Sequence, residues 1–304
     1  MQVSDWSDYQ AFLAIARAGQ LARAAAAMRV DATTMGRRLR RLEARLGVTL
    51  FEQTREGQVL TEAGEALLDQ VEAMALAAAR IGDAGAAGGG LAGTLRISVS
   101  EGFGGWFLPH HVPALTAAHP RLTLDLVASS GFLSLSKREA DIAVTLSRPK
   151  AGPVIARKLS DYALRLYASP AYLAQAGEPR READLAQANQ GRGHRLVGYI
   201  PDLLYDPALS YLDEIHPGLA ATLRSSSINA QYRMIAAGAG IGVLPCFIGD
   251  GDPGLVPVLP ERRILRGFWL VTHKDTHNLA RVRAGKEWLT GAVQHRRDVL
   301  LPPS

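Results

Sequence analysis

Six arginines fall between Arg29 and Arg45 against only Asp31 and Glu43, and Thr33 and Thr34 stand just ahead of the densest part of that run. Guanidinium groups bind phosphate oxygens or the edge of guanine, and short hydroxyl side chains permit close approach to base edges. The chemistry these residues offer is nucleic-acid recognition. Covalent chemistry has no comparable set. The single cysteine, Cys246, follows Leu244-Pro245 beside apolar residues, where a thiol is either inert packing or a redox sensor. His110 and His111 are adjacent, and His273 and His277 flank an apparent turn, so neither pair has metal-ligand spacing. Scattered carboxylates supply no acid–base pair. No catalytic residue, metal or cofactor is expected.

The basic run is positioned by a helix that can be built from its parts. Asp31 is a good N-cap, Val30 can pack on Met35 as a hydrophobic staple, and Gly47 offers a left-handed exit. Met35, Leu39, Leu42 and Leu46 recur at helical spacing as a stripe expected to be buried. Thr33, Thr34, Arg37, Arg38, Arg40, Arg41 and Arg45 occupy the other faces. Taken alone, such a helix fits a solvated charge run as well as a recognition helix. Its neighbours favour the second. Tyr9, Phe12, Leu13 and Ala16 mark a helix ending at Gly19, and Leu21, Ala24, Ala25 and Met28 mark a short one, with a turn from Arg29 to Asp31 leading into the basic helix. That order is a helix-turn-helix, whose second helix enters the major groove. Downstream, 49–54 and 58–61 flank Arg55-Glu56-Gly57, a hairpin signal that adds a wing. The residues expected at DNA are Arg29, Ala32, Thr33, Thr34, Gly36, Arg37, Arg38, Arg41 and Arg55.

The 304 residues, 47% of them hydrophobic, suffice for more than one globular domain, and one cysteine excludes an intramolecular disulfide framework. The first residues, Met1-Gln2-Val3-Ser4-Asp5-Trp6, carry neither a basic segment nor an apolar core, and no run approaches a membrane span, so a soluble, cytoplasmic chain is expected. Ten arginines balance ten acids from Met1 to Gly82, so the basic patch is local and the net charge of +5 arises after Gly82. Ala63, Leu67, Val71, Met74, Ala78 and Ile81 are spaced by threes and fours across 61–81, like a short coiled-coil seam, and Leu67, Val71, Met74 and Ala78 are expected to pair two subunits. The other reading is a helix packed on its own domain. Gly82 to Gly90 is glycine- and alanine-rich, and a flexible hinge is expected over 82–94.

These residues resemble the LysR-type transcriptional regulators. The pattern is carried by Ala24-Ala25, by Arg37, Leu39, Leu42, Glu43, Leu46, Gly47, Leu50 and Phe51 at the family's spacing, and by Leu60-Thr61-Glu62-Ala63-Gly64. Asp31 and Ala32 stand where the family usually has a Ser-Gln pair, and Gly36 where it has serine, so base preference is expected to differ. Further on, the likeness rests on Leu95-Arg96-Ile97, Leu108-Pro109, His119-Pro120, Ala140-Asp141-Ile142-Ala143, 167–172 and Ala237-Gly238-x-Gly240-Ile241-Gly242-x-Leu244-Pro245.

From 95 onward apolar strands alternate with helices, an α/β layer pattern. The resemblance implies an α/β chain overall: an all-α winged helix-turn-helix over 1–60, a linker helix over 61–81, the hinge, and over 95–304 a two-lobed α/β effector-binding domain of the periplasmic-binding-protein type 2. Lobe I is expected over 95–160 and 268–304, and lobe II over 161–267. Ligands of open α/β sheets bind beyond the carboxyl ends of strands. By resemblance those places hold Ser100, Glu101, Gly102 and Phe103 after one strand, Ser129, Ser130, Gly131 and Phe132 after another, and Ser225-Ser226-Ser227 in lobe II, with Thr145, Gly198 and Tyr199 completing the cleft. The effector-binding residues expected are Ser100, Glu101, Gly102, Phe103, Ser129, Ser130, Thr145, Gly198, Tyr199 and Ser226. Similar sequences often carry arginine at the position of Thr145, which argues against a simple carboxylate effector unless Arg148 replaces it. Glu101, Phe103, Trp106, Phe132 and Tyr199 suggest a ligand with an apolar or aromatic body.

The function expected is sequence-specific binding of double-stranded DNA at inverted half-sites by dimers, paired into tetramers, under control of a small molecule held between the lobes; the resemblance also implies contact with RNA polymerase. Two alternatives stay open: a solute-binding protein, which shares the lobes but leaves the winged helix unexplained, and a regulator without effector control.

Overall fold

The computed structural model describes residues 5–55, 57–85, 90–131, 135, 139–186 and 193–303. The chain divides into two compact units, Met1–Gly89 and Gly90–Ser304.

The first unit is built on three helices, α1 (Trp6–Ala18), α2 (Leu21–Ala27) and α3 (Ala32–Leu46), followed by strands β1 (Phe51–Gln53) and β2 (Gln58–Leu60) and a long helix α4 (Glu62–Gly85). Each of the two longer helices of the trio starts on an aspartate, with Asp5 accepting from the Ser7 N–H and Asp31 from the Thr34 N–H, and each ends on a left-handed glycine, Gly19 or Gly47. Phe12, Ile15, Ala24, Met35, Leu42, Leu50 and Val71 close a common core, and Val30 packs against it. Leu46 departs from the expected stripe: it is 39% exposed, because the last turn of α3 runs past the edge of that core. The β1–β2 hairpin pairs Phe51 with Leu60 antiparallel, which makes the wing. Its base is fixed by the residues that recur in the motif. The Glu43 carboxylate accepts from the Leu50 N–H at 2.8 Å, and the Thr61 hydroxyl donates to the Thr49 carbonyl at 2.7 Å. A side chain at Gly64 would place its Cβ 2.2 Å from the Leu50 carbonyl oxygen, so only glycine lets α4 leave the wing at this angle.

Helix α4 runs to Gly85, past the expected hinge start at Gly82, since the alanine-rich turns before it favour continuation. The next strand begins at Ala92, so both ends of the expected 82–94 hinge are regular structure and 86–89 lies outside the described residues.

The second unit contains β3 (Ala92–Ser100), α5 (Val112–Ala118), β4 (Arg121–Ser129), β5 (Ile142–Thr145), β6 (Val154–Ala168), α6 (Pro170–Ala176), α7 (Glu182–Ala186), β7 (Leu196–Gly198), α8 (Leu212–Ile215), β8 (Leu223–Arg224), α9 (Ile228–Ala236), β9 (Ile241–Pro245), α10 (Cys246–Gly249), β10 (Val256–Val258), β11 (Ile264–His273), α11 (Ala280–His295) and α12 (Arg297–Leu300). One sheet runs β4-β3-β5-β11-β6-β9-β7-β8, with β10 also on β6. It serves two lobes. In one, β3, β4 and β5 pair in parallel beside the Trp269–Thr272 half of β11; in the other, the Leu164–Tyr167 half of β6 pairs with β9, which is joined by parallel β7 and β8. The long antiparallel strands β6 and β11 pass from lobe to lobe, and their register shifts between Phe268 and Trp269.

Between β3 and β4 the chain winds as a π-turn (Phe103–Phe107), a 3₁₀ turn (Leu108–His111) and α5 in place of one continuous helix, because Pro109 and Pro113 each remove a backbone donor and restart the winding. The π-turn sits hard on the sheet. A Cβ on Gly104 would stand 2.4 Å from Val99 Cγ2 and 2.6 Å from the Ala128 Cβ.

Candidate functional site

Helix α3 presents two kinds of arginine. Ala32, Thr33 and Arg37 are exposed on its first turns, Thr34, Gly36 and Arg38 are half-buried beside them, and the Thr34 hydroxyl donates to the Asp31 carboxylate at 2.8 Å. Thr34 is therefore part of the cap. Arg41 was expected with the DNA-facing group, yet its guanidinium forks onto Asp8 of α1, with Nε–Oδ2 at 2.8 Å and a second bond from Nη2 to Oδ1; Arg45 adds a 3.9 Å contact. Asp8 is fully buried, so this pair braces α1 against α3. The periodicity of α3 gave no sign of it, since the partner lies 33 residues upstream. Arg40 turns back onto the Gly36 carbonyl at 3.3 Å. Arg29 is exposed in the turn with φ of 53°, a left-handed conformation that is costly for a side-chain-bearing residue, and Arg55 is exposed at the wing tip. A Cβ at Gly36 would make only ordinary contacts with Leu21 and Arg40, so no steric demand explains this glycine.

The expected dimer seam on α4 divides. Val71 is fully buried and Leu67 packs against the same core, so these two belong to their own head, because the apolar spacing also suits the groove beside α1. Met74, 44% exposed, and Ala78 stay on the surface.

In the second unit the ends of β3, β5 and β7 converge. Ser100, Gly102, Phe103 and Tyr199 line one small cavity of about 30 Å³ together with Tyr162, Tyr205, Tyr211 and Phe268, room for a water or two and too small for a ligand. Burial pushes the phenols of Tyr162, Tyr199, Tyr205 and Tyr211 well above their usual range, so all four stay protonated. The lobes are tied on two sides of this cavity. Glu101, at the end of β3, accepts from the Ser227 hydroxyl at 2.8 Å, the Ile228 N–H at 3.0 Å and the Asn229 amide at 3.0 Å, and so occupies the N-terminus of α9. Carboxylates are favoured there because the helix dipole and its unpaired N–H groups converge. Trp106 donates to Asn229 at 2.6 Å and meets the Tyr232 ring edge-on at 4.7 Å. Opposite, the Ser147 hydroxyl donates to buried Asp206 at 2.5 Å.

The remaining expected effector residues lie outside the cavity wall. Ser129 turns onto the Gly131 carbonyl at 2.5 Å, Ser130 is exposed, Thr145 donates to the Ser147 carbonyl at 2.7 Å, Gly198 packs under Ala221, and half-buried Ser226 sits between Ser225 and the α9 cap Ser227. Phe132 lies outside the described residues. Arg148 stacks over the Trp269 ring at 5.7 Å and does not take a place in the cavity. Tyr162, Tyr205, Tyr211 and Asp206 were missed. Tyr162 and Phe268 stand where the long strands cross between lobes, and the other three belong to irregular segments without periodicity.

Cys246 is fully buried, and burial raises its thiol. Among the described residues there is no cluster of three metal-ligating side chains and no helix long and apolar enough to cross a membrane.

The chain thus joins a winged helix-turn-helix to a two-lobed α/β unit. The family model for the LysR substrate binding domain matches residues 88–294, and that for the bacterial regulatory helix-turn-helix of the lysR family matches 6–65. The chain belongs to the LysR family of transcriptional regulators. It is 28% identical over 93% of its length to the Mau operon transcriptional activator of Paracoccus denitrificans, 95% of which is covered. Two solved structures share the fold: CrgA, a LysR-type regulator of Neisseria meningitidis (24% identity, 93% of this chain and 97% of that one, TM-score 0.58), and full-length CbnR with its target DNA (20% identity, 95% and 99%, TM-score 0.57).

Proposed function

We propose that this LysR-family chain acts in the cytoplasm as a homodimer, paired further into tetramers, that places two α3 helices over the half-sites of an inverted repeat and contacts RNA polymerase from there. The reading rests above all on the exposed first turns of α3, where Ala32, Thr33 and Arg37 project from a helix capped at Asp31 and anchored by buried Met35, Leu39 and Leu42. Short residues at the N-terminal end allow close approach to base edges, while Arg37 and Arg38 supply guanine or phosphate contacts. Arg29 and Arg55 reach the flanking backbone. CbnR, similar in fold, has been solved in complex with its target DNA, which agrees with this assignment. One head covers one half-site, so two-fold pairing through the Met74–Ala78 face of α4 sets the spacing.

Control comes from the interlobe site around Ser100, Phe103 and Tyr199. A ligand that binds one degree of lobe closure better than another shifts the population between them, and that shift alters how the heads meet DNA. The chain performs no catalysis in this scheme.

Gel-shift titration of the protein on its own upstream region over a range of salt concentrations tests the reading. Binding that weakens steeply with salt and is lost in Arg37→Ala is expected; salt-insensitive binding, or none at low salt, overturns it.

A further inference from the structure

The interlobe cavity has a neighbour. Tyr199, Leu209 and Tyr211 also line a second cavity of about 230 Å³ inside lobe II, bounded further by Leu212, Leu219 and Arg224, so these three side chains form the partition between the two spaces. Within the partition the Tyr211 hydroxyl is the exception: the residue is only 3% exposed, and its oxygen has no hydrogen-bond partner among the described residues. Tyr199 and Tyr205, by contrast, are hydrogen-bonded to each other. A buried donor without an acceptor costs free energy unless something else uses it.

The wall of the inner cavity carries no charged side chain. The helix N-terminus that would hold an anionic group, that of α9, is already filled by Glu101 with three donors, and no arginine or lysine forms an ion pair with Glu101 among the described residues. Arg266 nearby is bound to Glu214 and to the Ala208 carbonyl. The outer cavity wall carries one cation and one carboxylate, Arg224 and Asp213, so it has no net charge; the Arg224 Nε donates to the Ala221 carbonyl, and Asp213 accepts from the Gly218 N–H. An arriving carboxylate would find no free cation inside and would meet the field of Glu101. An ammonium ion would find no carboxylate in the inner wall.

Building on the effector reading above, we propose that the ligand is an uncharged one-ring molecule bearing a hydrogen-bond acceptor, which parts Tyr199 from Tyr211, joins the two cavities and takes its hydrogen bond from the Tyr211 hydroxyl. The aromatic wall packs the ring, and the protonated phenols donate.

Three probes of one size and different charge test this on the full-length protein: acetophenone, benzoate and benzylamine, followed by calorimetry and thermal unfolding. Acetophenone is expected to bind about tenfold or more tighter than either ion, and Tyr211→Phe to weaken it about tenfold, the loss of one hydrogen bond. The same substitution removes no partner in the ligand-free protein, so its unfolding midpoint is expected to equal or exceed that of the parent. Equal or tighter binding of an ion, unchanged binding by Tyr211→Phe, or no binding of any probe overturns the proposal. Gel shifts on the same preparations separate the two readings: DNA binding that persists while the probes fail removes only the ligand class, and absent DNA binding removes the regulator reading itself.

Discussion

Arg37 and Arg41 lie four residues apart on α3 and serve different ends. Arg37 is exposed, whereas Arg41 neutralises fully buried Asp8. Arg37→Ala is therefore expected to leave the unfolding midpoint unchanged and to weaken specific DNA binding by about tenfold or more, with a shallower salt dependence if the contact is to phosphate. Arg41→Ala is expected to lower the midpoint by stranding a buried carboxylate, and DNA binding will fall only as the head loosens. Paired thermal unfolding and gel shifts separate the two; equal midpoints for both variants would contradict this division. At Asp31 the Thr34 N–H, and then its hydroxyl, hold the carboxyl below its usual value of 3.8. A carboxyl lowered on folding contributes stability above that value and loses it as the pH falls through the folded one. The midpoint difference between the parent and Asp31→Ala is thus expected at pH 7 and to shrink as the pH is lowered below 3.8. Cys246 is buried with its thiol raised, so it stays protonated at neutral pH and out of reach. Thiol reagents are expected to label it only after denaturation, and peroxide to leave DNA binding unchanged; rapid labelling of the native chain would reopen a redox role.

At the level of elements, the sequence displays its local structure far better than its tertiary partnerships. Helix α3 was legible to the residue because its caps, Asp31 and Gly47, and its stripe of Met35, Leu39 and Leu42 are local signals. The wing was legible from a turn between two short strands. The bracing of Arg41 by Asp8 and the inward turn of Val71 were not, because both depend on which face of one helix meets another. The same holds in the lobes. Ser100, Gly102 and Phe103 follow a readable strand, whereas Tyr205, Asp206 and Tyr211 sit in irregular chain and are brought to the cleft only by the fold. The first half of β6 has a weak local signal because Ala156, Arg157 and Lys158 dilute its apolar pattern, and its pairing with β11 supplies what propensity does not.

Across the whole sensor unit, Glu101 on α9 and Ser147 on Asp206 tie the lobes around a cavity too small for a ligand. Ligand entry then requires these ties to give way, which makes closure the quantity a ligand can bias. Glu101→Ala removes all three contacts that the carboxylate accepts and is expected to raise amide exchange at Ile228 and Ala230 by about tenfold or more, a local opening, while helix α1 of the other unit keeps its protection. Unchanged exchange at α9 would show that the carboxylate does not hold the lobes. Sequence-specific DNA recognition by α3 is the central activity proposed for the chain. The most direct measurement is protection of genomic fragments by the purified full-length protein, read by sequencing, with Arg37→Ala alongside. Enrichment of an inverted repeat by the parent, and its loss in the variant, is the predicted result. Fragments enriched without a common repeat, or equally by both proteins, would contradict it.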